Sequence, residues 1–68
     1  MIDVKRRDYL VAKALAYAIA AIDTLPEHER PLFDQQDMMT LFDTIVIGEG
    51  EHARLTGEAR AKLLREAW

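Results

Sequence analysis

Residues 9–22 read YLVAKALAYAIAAI, and Lys13 is the one charge among these fourteen side chains. A surface helix keeps a polar face opposite its apolar stripe, whereas a helix apolar on every side has to be covered on every side. Placed on a 100° wheel, Val11, Leu15, Ala18, Ile19 and Ile22 gather on a branched face. Two ridges of small residues flank it, Ala12, Ala16 and Ala20 on one and Ala14, Ala18 and Ala21 on the other. Tyr9, Lys13 and Tyr17 form a row at i, i+4 and i+8, where the Lys13 ammonium can lie against either ring. The branched face can be satisfied within one chain. The Ala12/Ala16/Ala20 ridge and the Tyr9–Lys13–Tyr17 row make the expected partner-binding surface, with a second copy of the chain as the expected partner.

The rest of the chain divides into two more helices. Asp3 is the expected N-cap of helix 1, which runs to about Thr24, since Pro26 disfavours helical geometry at Leu25. Leu25–Phe33 is a connection with room for one helical turn at Pro26–Arg30. Helix 2 is expected over Gln35–Ile47, with Asp34 as N-cap, Phe33 and Met38 as a hydrophobic staple, and Gly48 as the C-terminal stop. Gly48-Glu49-Gly50 is a flexible joint, followed by a short turn at Glu51–Leu55. Thr56 caps helix 3, whose stripe is Ala61, Leu64 and Trp68; the alternative is one helix from Glu51 to Ala67 that passes through Gly57. No segment alternates apolar and polar residues long enough to make a strand. The expected fold is therefore all-α: a small antiparallel three-helix bundle in one domain, 1–68, with an extra helical turn in a loop and homo-oligomerisation through helix 1. Its expected core is Val11, Leu15, Ala18, Ile19, Ile22, Phe33, Met38, Phe42, Ile45, Val46, Leu64 and Trp68.

Size supports association. A domain of 68 residues buries only about 60% of the surface that its unfolded form exposes. With no cysteine the chain has neither disulfides nor thiolate metal sites to reinforce it. The same absence fits a reducing compartment, and the expected location is the cytoplasm. The apolar run is shorter than the roughly 20 residues of a membrane span, so no membrane partner is expected. Lys5-Arg6-Arg7 before an alanine-rich run resembles a signal peptide only weakly, and cleavage there would leave two helices.

Charge is unevenly distributed. Residues 1–22 carry +2, residues 23–58 carry −7 and residues 59–68 carry +2, for the net −3. An acidic middle argues against direct nucleic-acid binding, which calls for a basic face. The basic run at 5–7 is expected to face Glu49, Glu51 and Glu58 across the bundle end. The acidic segment admits an alternative function. Glu27, Glu29, Asp34 and Asp37 can occupy a basic surface on another protein, as an inhibitor or regulator of a nucleic-acid-binding protein does. His28 and His52 each stand near carboxylates, but neither has the helical spacing of a zinc site. No nucleophile, oxyanion site or phosphate loop accompanies them. No catalytic residue, metal or cofactor is therefore expected, and the chain reads as a non-enzymatic protein–protein interaction module.

Overall fold

A computed structural model describes residues 2–65 of the chain. Among them there are three α-helices, one 3-10 turn and no strand: α1 (Val4–Asp23), the turn Glu27–Glu29, α2 (Leu32–Thr44) and α3 (Glu51–Arg65). α1 packs against both other helices along its length, while α2 and α3 approach each other less closely and meet where His52 of α3 reaches Phe42 of α2. Side-chain contacts set the directions. Gln35 at the start of α2 reaches Ile19 and Asp23 at the end of α1, so α2 runs antiparallel to it. Tyr9 meets Arg54 and Tyr17 meets Glu58, so α3 runs parallel to α1.

α1 starts as expected. The Asp3 carboxylate accepts from the Arg6 amide at 2.8 Å, which satisfies one of the unpaired donors of the first turn. The buried centre is not the branched face of α1. Ala12, Ala16 and Ala20 lie inside, together with Phe42 of α2 and with Leu55 and Ala59 of α3. Small side chains at the contact let two helix axes approach closely. Leu55, among the described residues, is the one large side chain that is completely enclosed.

Several expected core residues are displaced outward. Val11 is 43% exposed, and Phe33 and Val46 are each 85% exposed. Ile22 and Phe42 are buried, and Leu15, Ala18, Ile19, Met38, Ile45 and Leu64 are half-buried. Trp68 lies outside the described residues. A helical wheel ranks faces by side-chain size. The packing instead selects the face whose small residues admit a close neighbour.

α2 begins three residues earlier than expected. Pro31 occupies the N-cap position and makes no side-chain cap hydrogen bond. Asp34 therefore sits inside the first turn, where it still favours the positive end of the helix dipole. With the start moved back, Phe33 projects into solvent and forms no staple. The helix also stops early, at Thr44, and Ile45 adopts an extended conformation (φ −76°, ψ 127°). The β-branched run Thr44–Ile47 disfavours continuation. A side chain from α3 takes the terminal carbonyls. His52 Nε2 lies 3.1 Å from the Phe42 carbonyl and 2.9 Å from that of Ile45, and its ring meets Phe42 edge-on. Both partners can only accept, so Nε2 carries the hydrogen and donates.

The end of α1 is closed in the same way. Arg30 donates to the carbonyls of Leu25 and Asp23, and Gln35, itself buried, donates to the Ile19 carbonyl and the Asp23 carboxylate. α3 is continuous from Glu51, so Thr56 lies mid-helix and is not a cap. A Cβ at Gly57 would meet nothing within 4 Å, so no neighbour requires a glycine there. Gly50, at φ +79°, is in the left-handed region that glycine adopts without penalty, and it makes the turn into α3. The inward stripe of α3 is Leu55, Ala59 and Leu63, in place of Ala61 and Leu64.

This arrangement makes Ala12 and Ala14 non-equivalent. Ala12→Leu should overpack the α1–α3 contact and lower stability by about 1–3 kcal/mol. The same change at exposed Ala14 should be near neutral. Urea unfolding of both variants checks the contrast, and equal effects would contradict the inward assignment of the ridge.

Candidate functional site

The residues expected to bind a partner through helix 1 divide into two sets. Ala12, Ala16 and Ala20 are covered by the chain itself, because the branched and small side chains Leu55 and Ala59 fit against them. The ridge is therefore an internal contact and offers no open surface to a second copy. Tyr9, Lys13 and Tyr17 are half-buried along the edge of α1 that faces α3.

That edge is a polar ladder. The Arg54 guanidinium donates to the Tyr9 hydroxyl at 2.9 Å and to the Glu51 carboxylate at 2.7 Å. Tyr17 donates its hydroxyl hydrogen to Glu58 at 2.7 Å, and the Lys13 ammonium lies 3.6 Å from the same carboxylate oxygen. The cations over the Tyr9 ring are Arg6, at 5.7 Å, and Arg54, at 5.9 Å. Lys13 is drawn instead to Glu58, because a carboxylate within reach attracts an ammonium more strongly than a ring face does.

The ladder shifts its acids. The Tyr17 hydrogen bond, helped by the positive charges of Lys13 and Lys62, holds Glu58 below the ordinary carboxylate value of 4.5. The Arg54 hydrogen bond does the same for Glu51, and Arg54 in turn is held more firmly protonated by Glu51 and Tyr9.

The basic run does not pair with the acidic joint. Arg7 lies 3.5 Å from its neighbour Asp8, and no ion pair among the described residues joins residues 5–7 to Glu49, Glu51 or Glu58. Lys5 and Glu51 do line one cleft with Tyr9, Val46, Ile47 and Gly48, so the start of α1 lies beside the joint as expected.

Glu27, Glu29, Asp34 and Asp37 are all exposed, on the 3-10 turn and the first two turns of α2. None enters an ion pair among the described residues. His28 is exposed on the same turn, and His52 is occupied with the end of α2. No three His, Asp or Glu side chains cluster as metal ligands among the described residues, and no described helix is long and apolar enough to cross a membrane.

A second cleft has no counterpart among the sequence-based expectations. Beside the Phe42–His52 contact, a groove of about 160 Å³ opens between α2 and α3. Ala16, Ile19 and Phe42 form its floor, Met39 and Asp43 line the α2 side, and Thr56 and Arg60 line the α3 side. On α2 the signal for it is the i, i+4 spacing of Met39 and Asp43, which puts both on one face.

Since folding depresses the Glu58 and Glu51 pKa values, their contribution to stability is complete above about pH 4.5 and fades as pH falls through the lower folded-state values. Glu58→Gln should therefore be less stable than the wild type at pH 7, and the two should converge near pH 2. Urea unfolding at both pH values measures this, and a gap that persists at low pH would contradict the assignment. The chain matches no protein-family model, no curated protein and no solved structure.

Proposed function

We propose that this chain is a small non-enzymatic protein–protein interaction module that works as a homo-oligomer, with a dimer as the simplest assembly. One observation carries the reading: the interior is too small for the apolar content. Of the seven buried hydrophobic residues among the described ones, four are alanines. Ten large apolar side chains, Phe33, Val46, Ile2, Val4, Leu32 and Leu41 among them, remain more than one-third exposed. Single exposed apolar side chains are ordinary, but this many on so small a chain leave apolar surface that a second copy would cover, and that supports the reading.

Self-association is preferred over the acidic inhibitor reading because it accounts for these apolar side chains. Exposed carboxylates at Glu27, Glu29, Asp34 and Asp37 leave them unexplained. The assignment of the surface changes from that expected of the sequence. With Ala12, Ala16 and Ala20 enclosed, the contact falls on residues that α1, α2 and α3 leave uncovered.

Light scattering after size-exclusion chromatography tests the reading. A mass of at least twice 7.8 kDa is expected at micromolar concentration and above. A strict monomer at millimolar concentration would overturn it.

A further inference from the structure

We propose that the groove between α2 and α3 is the self-association surface, and that a second copy packs the same face against it about a two-fold axis, with side chains rather than a whole helix entering the groove. The inference rests on the homo-oligomer reading and names its interface. A closed three-helix bundle has each helix against both others. Here α2 and α3 touch where Phe42 meets His52, and beside that contact a trough between Met39 and Asp43 on one side and Thr56 and Arg60 on the other stays open over the half-buried Ile19 of α1.

The charges on the two sides of the trough identify its occupant. Met39, Phe42 and Asp43 line its α2 side, and Asp43 is the charge among them. On α3, the acids Glu51 and Glu58 are held with Arg54 on the opposite edge, against Tyr9, Lys13 and Tyr17. The groove edge of α3 carries Thr56 and Arg60, so its charge is basic. Asp43 and Arg60 are both exposed, and neither enters an ion pair among the described residues.

One acidic lip and one basic lip on an apolar trough are self-complementary under a two-fold rotation. Each copy's Asp43 then meets the partner's Arg60, and the reciprocal pair forms by symmetry. The half-exposed Met39 supplies the apolar contact across the floor. A basic helical peptide would match the Asp43 lip but would meet Arg60 with like charge. A stable dimer buries about 800 Å² per partner, a modest share of the 5239 Å² that the described chain exposes.

Charge-reversal mixing tests the interface. Asp43→Arg and Arg60→Asp each place two like-charge pairs in the corresponding homodimer. Each dissociation constant should rise by at least about tenfold. Mixing the two variants makes both pairs attractive, so the heterodimer should form at wild-type concentrations, as read by native mass spectrometry. Pairing between Asp43 and Arg60 within one chain cannot give this rescue. Circular dichroism checks that both variants remain helical. The neutral variants Asp43→Asn and Arg60→Gln supply an independent reading, in which the salt dependence of wild-type dimerisation should largely disappear. A wild-type dimer unaffected by either reversal, or a mixture no better than the single variants, would overturn the groove while leaving self-association intact. A wild type that is monomeric throughout would overturn both.

Discussion

The small side chains of Ala12, Ala16 and Ala20 set how near α3 lies to α1, and the remaining contacts of the chain follow from that approach. With α3 drawn close, Leu55 and Ala59 are enclosed, and the edges of the two helices come within hydrogen-bonding reach. Arg54 can then meet Tyr9, and Glu58 can meet both Tyr17 and Lys13. A larger residue on the ridge would separate the helices and loosen that ladder. The close contact also has a cost in buried area. Alanine contributes little apolar surface, so an interior built on four alanines leaves a stability deficit that branched residues would have filled.

Much of the fold is legible in the sequence, for reasons that can be named residue by residue. Asp3 is a side-chain cap at the expected position, and Pro26 with Pro31 brackets the connection after α1. The 3-10 turn Glu27–Glu29 falls within the turn anticipated at Pro26–Arg30. Less legible are features determined by partners distant in sequence. The β-branched run Thr44–Ile47 completes a helical stripe on a wheel, yet His52, ten residues after Phe42, closes the helix before it. Leu55 points away from the stripe of Ala61 and Leu64, which suggests a break in α3. Packing instead takes Leu55, Ala59 and Leu63 as the inward line, and no break is needed.

The site is legible in part for the same reason. Helix 1 stands out in the sequence as a helix with more apolar surface than polar. Which face turns inward depends on whether small or branched residues make the better contact, and composition does not decide that. The Tyr9–Lys13–Tyr17 row belongs to the seam between α1 and α3, with cations from Arg6 and Arg54 over the Tyr9 ring. The α2–α3 groove depends on how α2 and α3 sit on α1, a relation between residues distant in sequence that a helical wheel does not contain.

On the proposed reading, an interior this small, beside a trough with lips of opposite charge, ties folding to association. A native state that is a dimer must have a melting temperature that depends on chain concentration. The most direct measurement is therefore thermal unfolding followed by circular dichroism over a hundredfold range of concentration. Coupled folding and association predict a melting temperature that rises by about 5 °C for each tenfold increase. A melting temperature independent of concentration would contradict that coupling.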